Sequence, residues 1–525
     1  MLFSLPRTSK GIVTLASLIN EKLNTDGGLP SLPSVWISVD LNSRELVERP
    51  GDDQLPDNPA EDCVYEDLWS KWNQFRRLLL PSRRVGVVLE CSPDNLEQED
   101  ADRWAGEPIR ALVIGTNCFL TNRKNFPVLS KRHQAFITLV RDRTAYEAHL
   151  ILRISHQNAD LKLYAQYLNY VCTMTSMTDA TARYARGFED VLQLPLQPLM
   201  DNLESHTYEI FEKDPIKYEQ YRRAIAAAMQ TLATQTLVVM VVGAGRGPLV
   251  HAALQAALEK DKYIRVYAVE KNPNAVHTLR SLSKRSWGGE EGLKNGRVQV
   301  IASDMRDWLA PEKADIVVSE LLGSFGDNEL SPECLDGVHR NVRPDTMSIP
   351  QAYTSYLAPI MSQKLHSETL FNQQTDKPWY YAFECTYVVY LRNFYLIDLP
   401  KPLFTFEHTD LSLTADQRDN RRHDIVDFKA RMDACLHGFA GFFDAQLFGD
   451  VHISIVAGQE SKDMFSWFPL WIPLKHPQDV KAGDQIEICM WRHMNKHRVW
   501  YEWAVLAPMA SDIHNSNGRS QSIGL

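Results

Sequence analysis

The stretch Val241-Val-Gly-Ala-Gly-Arg-Gly-Pro248 decides how the middle of this 525-residue chain folds. A run of apolar residues, typical of a buried strand, passes directly into glycines and then into a proline that suits the first turn of a helix. Glycine permits a tight turn and a close approach of ligand to backbone, and the helix N-terminus favours negative charge. The stretch therefore predicts a strand, a ligand-binding turn and a helix of an α/β fold.

The spacing of the glycines narrows the choice of ligand. They occupy positions 243, 245 and 247, giving G-x-G-x-G. The dinucleotide fingerprint would place its third glycine where Pro248 stands. The spacing therefore favours S-adenosylmethionine over NAD, and an NAD-linked enzyme or a small-molecule methyltransferase remains an alternative.

The surrounding pattern predicts a doubly wound, Rossmann-like domain over residues 177–349. Strand-like apolar runs alternate with helical segments that begin at Pro248 and Pro273, as expected for a parallel sheet. Helices containing Pro195-Leu-Gln-Pro198 and Tyr208 to Tyr221 are expected to open this domain. The predicted strands are Leu237–Val242, Ile264–Val269, Val298–Ala302 and Ala314–Ser319.

Acidic residues follow the second and third predicted strands. Glu270 ends one strand, and Asp304 with Met305 follows the next. Ligands of open α/β sheets bind at the carboxyl ends of the strands. We expect Glu270 to accept hydrogen bonds from ribose hydroxyls and the Asp304 segment to meet the adenine edge, although both acids could serve only as helix caps.

The fourth predicted strand leads into Ser319-Glu-Leu-Leu-Gly-Ser-Phe-Gly-Asp-Asn-Glu-Leu-Ser-Pro332. Glu320 and Glu329 flank a loop with two glycines, and such a loop can fold both carboxylates into one pocket. Two close carboxylates raise each other's pKa unless a cation lies between them. A guanidinium suits that place because its planar fork can pair with both. The alternative is an exposed acidic loop.

The regions before and after this domain have different patterns of predicted strands and helices. Residues 1–176 alternate strands and helices as in a TIM-type βα barrel, but we count about five strands where a barrel needs eight, so a partial barrel lacking its first units is expected. Residues 350–525 are rich in β segments and predict a C-terminal β-barrel or sandwich. The N-terminal strands are Leu2–Leu5, Val35–Leu41, Arg84–Glu90, Ala111–Leu120 and His149–Ile154, and the C-terminal segments are Ala352–Pro359, Phe383–Arg392, Leu403–Phe406, Val451–Val456, Gln485–Trp491 and Val499–Leu506.

The charge and hydropathy of the chain limit the classes of molecule that it can bind. The net charge is −10 and the pI about 5.9, which disfavours direct nucleic-acid binding and suits basic substrates. No apolar run approaches the roughly 18–20 residues of a membrane span, and the first residues do not form a secretory signal. We expect a protein of the cytoplasm and nucleus without a membrane segment or a bound metal.

From Gly243 to Pro332 the sequence resembles the protein arginine methyltransferases, and most closely their type II, symmetrically dimethylating members. The likeness is strong over about 184–350 and 435–525, moderate over 60–184 and 350–435, and thin before residue 60. The segments that carry it are Phe211-Glu-Lys-Asp-Pro-Ile-Lys-Tyr218, Glu270-Lys-Asn-Pro-Asn-Ala275, Ser319 to Gly337, Phe465-Ser-Trp-Phe-Pro469 and Val499-Trp-Tyr-Glu-Trp-Ala504.

The resemblance implies a role for each matching residue. Glu320 and Glu329 would be the catalytic pair, and Phe211, Ser466 and Trp467 would line the arginine pocket, although each aromatic could be plain core. Phenylalanine replaces the methionine that is usual at position 211 in asymmetric enzymes, which implies symmetric dimethylation. The residues implied to bind S-adenosylmethionine are Tyr208, Lys217, Tyr218, Gly243, Gly245, Glu270, Asp304 and Met305.

The resemblance also implies partners. The substrates would be Arg-Gly-rich tails of spliceosomal proteins and histone tails, so that the enzyme would act in chromatin regulation and spliceosomal particle assembly. The type assembles as a homo-oligomer and binds a WD-repeat propeller through its N-terminal barrel. Because that barrel is expected to be incomplete, a non-catalytic or partner-defective interaction protein remains the alternative.

Overall fold

The N-terminal region is built on a parallel sheet of five strands. The computed structural model describes residues 1–25, 34–41, 67–93, 98–155, 160–174, 180–289, 292–408 and 418–525. The sheet has the order β1-β2-β3-β4-β7, and its strands correspond to the five predicted from the sequence, although the fourth runs from Ile109 and ends at Gly115 instead of Leu120. The elements are β1 (Leu2–Ser4), α1 (Ser9–Thr25), β2 (Val35–Asp40), α2 (Leu68–Arg77), β3 (Val85–Glu90), α3 (Gln98–Trp104), β4 (Ile109–Gly115), β5 (Leu120–Thr121), β6 (Pro127–Val128), α4 (Lys131–Arg143), β7 (His149–Arg153), α5 (Leu161–Met174) and α6 (Ala180–Tyr184).

The segment around the buried Glu107 joins this region to the C-terminal region. Glu107 is fully buried and accepts hydrogen bonds from the indoles of Trp69 and Trp72 in α2, each at 2.9 Å. Asn393, far along the chain, donates to the backbone carbonyls of Ala105 and Glu107, both at 2.9 Å. Because buried polar groups are costly unless they are paired, these bonds fix how the two regions pack.

The middle region is a second parallel sheet, with the order β10-β9-β8-β11-β12. The chain runs outward from β8 through β9 to β10, then crosses to β11 on the other side of β8, so the switch point lies at the carboxyl end of β8. All four predicted strands are confirmed, and β12 is an additional strand. The elements are α7 (Ser205–Phe211), α8 (Pro215–Thr231), β8 (Thr236–Val242), α9 (Pro248–Glu259), β9 (Tyr263–Glu270), α10 (Pro273–Ser286), β10 (Gly296–Ala302), β11 (Ala314–Ser319), α11 (Ser331–Val338) and β12 (Val342–Ile349).

The helices expected before this sheet need correction. The segment containing Pro195 and Pro198 is not helical. Residues that precede proline avoid helical backbone angles, and Gln193 instead exchanges backbone hydrogen bonds with Val388. The helical pattern from Tyr208 onward is divided into α7 and α8 because Asp214 caps the second helix immediately before Pro215.

The C-terminal region consists of two antiparallel sheets, which confirms the β-rich class predicted for it. One has the order β14-β20-β18-β13-β15, with β16 on β13 and β19 on β18, and the other is β17-β21-β22-β23. The elements are β13 (Ala352–Met361), α12 (Gln363–Phe371), β14 (Tyr387–Val388), β15 (Tyr395–Leu396), β16 (Lys401–Glu407), β17 (Arg422–Lys429), β18 (Ala434–Phe448), β19 (Val451–Ser454), β20 (Leu470–Val480), β21 (Gln485–Met494), β22 (Arg498–Ala507) and β23 (Ile523–Gly524).

Two β predictions in this region were inaccurate. Most of Phe383–Arg392 is not strand: only Tyr387–Val388 forms a strand within it, and Tyr390 makes an isolated bridge to Glu189. The strands β17, β18 and β20 were not among the predicted segments. In the central strand β18 the first ten residues are all buried and therefore show no alternation of apolar and polar side chains. Among the residues that the structure describes, no helix is both long and apolar enough to cross a bilayer.

Candidate active site

The turn after β8 has the backbone that its glycines predict. Gly243 and Gly245 have φ angles of 70° and 53°, in the left-handed region that favours glycine. A Cβ atom at Gly243 would lie 2.9 Å from Cδ2 of Leu321, and one at Gly245 would lie 3.2 Å from the ring of Tyr208. A side chain at either position would therefore press against Leu321 or Tyr208, so the close packing of this turn requires glycine.

Glu270, at the end of β9, faces this turn. Its two carboxylate oxygens accept the backbone N–H groups of Gly245 and Asn272, each at 2.7 Å. Burial raises the pKa of Glu270, and these backbone bonds partly offset that effect. Asn272 also donates to the hydroxyl of Tyr208 at 3.2 Å, and burial together with the Glu270 carboxylate raises the pKa of Tyr208 to about 12. These groups form one connected polar wall.

Asp304 and Met305 follow β10 on the same side. Asp304 accepts the backbone N–H of Arg306 at 2.8 Å and its guanidinium at 2.9 Å. Burial alone would raise the pKa of Asp304, but the bonds from Arg306 outweigh it and hold the pKa below its usual value. Asp304 is thus an ionised acceptor at the rim, and the methyl group of Met305 lies close to Gly243.

The carboxyl ends of β8, β9 and β11 border a cavity, and a segment that the sequence reasoning missed closes part of it. Leu199 and Leu203 line it from the irregular stretch before α7. The ammonium of Lys271 donates to the carbonyl of Leu199, and the amide of Asn272 donates to that of Leu203 at 2.8 Å. The apolar residues of this segment show no periodic pattern in the sequence, so only the fold reveals that Leu199 and Leu203 line the cavity.

A single cavity gathers most of the predicted site. It runs from the glycine turn past the end of β9 to the loop after β11, at the switch point of the sheet. Ten of the predicted residues line it: Tyr208, Phe211, Tyr218, Gly243, Gly245, Glu270, Asp304, Met305, Glu320 and Glu329.

The loop between the two glutamates is closed on itself. Gly323 and Gly326 exchange backbone hydrogen bonds of 3.1 and 2.9 Å, and the side chain of Asn328 accepts the N–H of Phe325 at 2.7 Å. This closure brings the beginning and end of the loop to the same cavity. Burial, and then the neighbouring Glu320 carboxylate, raise the pKa of Glu329 well above its usual value.

Lys217 occupies the space next to Glu320. Its side chain is only 1% exposed, and its Nζ lies 3.3 Å from an oxygen of Glu320. The same Nζ is 5.6 Å from the ring centroid of Phe211 and 4.9 Å from those of Tyr218 and Trp467. A position bordered by one carboxylate and three aromatic rings is suited to a cation.

Three of the predicted site residues, Lys217, Ser466 and Trp467, are not part of the lining of this cavity. The indole N–H of Trp467 donates to the carbonyl of Leu322 at 2.8 Å, within the glutamate loop. The N–H and the hydroxyl of Ser466 both donate to Asp214, at 2.9 and 2.8 Å. Asp214 is fully buried and also caps α8 by accepting the N–H groups of Ile216 and Lys217. Sequence reasoning missed Asp214, although an aspartate before a proline is a signal of a helix start.

Comparisons with known families cover nearly the whole chain. Residues 179–349 match a family model described as PRMT5 arginine-N-methyltransferase. Residues 1–174 match the PRMT5 TIM barrel domain, and residues 352–523 match the PRMT5 oligomerisation domain. The match to a methyltransferase family confirms the predicted cofactor, S-adenosylmethionine, and the C-terminal match supports oligomerisation.

Individual relatives agree with the family models. Protein arginine N-methyltransferase 5 of Xenopus laevis is 46% identical over 477 residues, covering 89% of this chain and 73% of the relative. The protein of the same name from Oryza sativa subsp. indica is 42% identical and covers 99% of this chain and 81% of its own length. That of Drosophila melanogaster is 38% identical, with coverages of 97% and 81%. The chain therefore belongs to the PRMT5 arginine-N-methyltransferase family.

Proposed function

We propose that this chain transfers methyl groups to the ω-nitrogens of arginine side chains and forms monomethyl and then symmetric dimethylarginine. The observation that carries this proposal is the pairing of two glutamates in the cavity that holds the glycine turn. A methyl-donor pocket and a cation pocket are thus continuous. The Lys217 ammonium, 3.3 Å from Glu320, supports the proposal of a cation pocket, because a positive charge already lies beside this carboxylate.

The chain's residues fit S-adenosylmethionine. The glycine turn offers space that any Cβ would fill, and Glu270 is an acceptor suited to ribose hydroxyls. Asp304 and Met305 would meet the adenine, and the methionine end would lie toward α7 and α8, near Tyr208, Lys217 and Tyr218. When bound, S-adenosylmethionine supplies a methyl group on a positively charged sulfur.

The two glutamates would bind and orient the target guanidinium. Glu320 already neutralises one cation, and Glu329 has a raised pKa that an incoming guanidinium would lower, since opposite charge favours the ionised form. Two carboxylates bound to the same guanidinium would hold its attacking nitrogen in place and draw positive charge away from that nitrogen. Either glutamate can accept the proton that this nitrogen loses.

Product symmetry would depend on Phe211. Its ring borders the cavity and faces the same cation position as Trp467. A rigid aromatic side chain leaves less room than a flexible methionine for a nitrogen that already carries one methyl group. The second methyl group would therefore go to the other terminal nitrogen.

The proposed substrates are Arg-Gly-rich tails of spliceosomal proteins and histone tails, in the cytoplasm and nucleus. A net charge of −10 attracts such basic tails. We also propose a homo-oligomer that binds a WD-repeat propeller through the N-terminal barrel, as the resemblance implies.

The proposal is tested with labelled S-adenosylmethionine and a peptide of repeated Arg-Gly-Gly. Hydrolysis and amino-acid analysis should give ω-monomethylarginine first and symmetric dimethylarginine later, whereas a Lys-Gly-Gly peptide of the same length should remain unlabelled. Saturable binding of NAD at the donor cavity would favour the dehydrogenase alternative. Peptide binding without any transfer would favour a non-catalytic interaction protein.

A further inference from the structure

One guanidinium from the C-terminal region holds both ends of the turn that carries Glu329. The side chain of Arg492, in β21, is completely buried. Its Nε donates to Asp327, two residues before Glu329, and its two terminal nitrogens donate to Glu333 at 2.7 and 2.9 Å, four residues after Glu329. The three residues are called the arginine clamp below.

Further bonds from the same region hold the loop. The hydroxyl of Tyr501 in β22 donates to Asp327 at 2.6 Å, and the hydroxyl of Ser355 in β13 donates to the carbonyl of Phe325 at 2.7 Å. Together with Arg492, these groups belong to three strands of the two C-terminal sheets. The loop leaves the parallel sheet but is fixed by side chains from another part of the chain.

The backbone of the turn needs such support. Leu330 directly follows Glu329, is fully buried and has a φ angle of 65°. A branched side chain in the left-handed region is strained and persists only where the surroundings determine its conformation. The clamp lies on both sides of this residue and of Glu329.

Stability alone does not account for so many buried charges. Replacing a buried ion pair with apolar residues is often neutral or stabilising, whereas planar bidentate pairing fixes geometry. Only Glu333 receives the parallel pair of N–H groups, while Asp327 is held by the third nitrogen and by Tyr501. The clamp thus sets the distance between Asp327 and Glu333, which lie on either side of Glu329 in the chain.

We infer that Arg492 is a positioning residue for the reaction, which holds the Glu329 carboxylate in the cavity through Asp327 and Glu333. The inference rests on the proposed role of Glu329 in binding the target guanidinium. It predicts that the C-terminal region takes part in every catalytic cycle, in addition to its family role in oligomerisation. The donor pocket touches none of the clamp residues, so donor binding should be independent of the clamp.

The test compares the wild type with two clamp variants. A triple variant, Asp327→Asn, Glu333→Gln and Arg492→Met, removes all three charges and leaves no unpaired buried ion. Arg492→Lys keeps the charge but loses the planar fork. For each, we would measure the thermal midpoint, the Kd for S-adenosylhomocysteine, kcat and KM for the Arg-Gly-Gly peptide, and the Kd of that peptide with S-adenosylhomocysteine bound.

The inference predicts a donor-product Kd near that of the wild type for both variants and a thermal midpoint near that of the wild type for the triple variant, while Arg492→Lys is expected to have a lower midpoint but to remain folded at the assay temperature. In both variants kcat should be at least tenfold lower and peptide binding weaker. The matched control is Arg519→Met, which removes another arginine that binds a buried carboxylate, Glu384, in the same region but away from the loop. It should keep the wild-type kcat. If the triple variant fails to fold, Arg492→Lys decides the question.

Wild-type kcat and peptide affinity in a folded clamp variant would overturn the inference. That result leaves the proposed function intact, because the wild type still methylates the peptide. If the wild type itself transfers no methyl group, the proposed function fails, and the peptide Kd then shows independently whether the clamp shapes the cation pocket.

Discussion

The ammonium of Lys217 lies 3.3 Å from the carboxylate of Glu320, inside a site that a substrate cation is proposed to enter. Three aromatic rings face that ammonium. In the unliganded protein the lysine therefore balances the charge of one glutamate, while the other glutamate has its pKa raised by burial and by its neighbour. Binding of an arginine must rearrange these charges.

The first prediction concerns Lys217→Met, which keeps the length of the side chain but removes its charge. Lys217 lowers the pKa of Glu329, so its removal should raise that pKa further. The acid limb of the pH profile of kcat/KM should therefore move to higher pH. The check is a pH–rate series, with Lys260→Met on the surface as the control. An unmoved acid limb would count against this charge coupling.

The second prediction concerns stability and pH. Unfolded glutamate has a pKa of roughly 4.3, and Glu329 in the folded protein has a higher one. Its contribution to stability is therefore fully present below the unfolded pKa and is lost as the pH rises through the folded pKa. Glu329→Gln imitates the protonated form, so it should raise the thermal midpoint at pH 8 by about 2 °C or more.

At pH 4 the same substitution should leave the thermal midpoint nearly unchanged, because wild-type Glu329 is protonated there. Calorimetric scans of both proteins across this range make the comparison. Equal midpoints at pH 8 would show that burial does not penalise the Glu329 carboxylate.

The third prediction concerns the donor pocket. Glu270→Gln keeps the shape of the side chain but removes the charge that two backbone N–H groups stabilise. Charge-assisted hydrogen bonds are roughly twice as strong as neutral ones, so we expect the donor Kd to rise about tenfold. Isothermal titration with S-adenosylhomocysteine measures this, and Glu259→Gln on the surface is the control. An unchanged Kd would remove Glu270 from the donor site.

The fourth prediction concerns the product. Phe211→Met should let the enzyme form some asymmetric dimethylarginine, because a flexible side chain leaves room for a second methyl group on one nitrogen. Mass spectrometry of hydrolysed peptide separates the two products. Formation of the symmetric product alone would show that Phe211 does not set the product type.

Most of the fold could be predicted because its signals are local. The strand before Gly243 and the prolines that start α9 and α10 follow from apolar runs and turn chemistry within a few residues. The acids at the strand ends were found for the same reason, since a parallel sheet brings such ends together. These rules predicted the donor turn, Glu270 and Asp304, and the structure places them on one cavity.

The remaining features depend on pairs that are distant in sequence. Arg492 meets Asp327 across 165 positions, and Ser466 meets Asp214 across 252. No periodicity connects such residues, so the bond between the Ser466 hydroxyl and Asp214 could not be predicted, and Ser466 was assigned to the arginine pocket only through the resemblance. Similarly, the strand β18 is buried on both faces, and a continuous apolar run does not distinguish a strand from a buried helix.

The rate of methyl transfer by Glu329→Gln tests the central claim most directly. With labelled S-adenosylmethionine and the Arg-Gly-Gly peptide both at saturation, the substitution should lower kcat by about a hundredfold or more, since it removes a carboxylate that binds the guanidinium and can accept its proton. The Kd for S-adenosylhomocysteine should stay within about twofold of the wild type, which corresponds to less than about 0.5 kcal/mol. A kcat near the wild-type value would contradict the claim that the two glutamates of this cavity carry out the reaction.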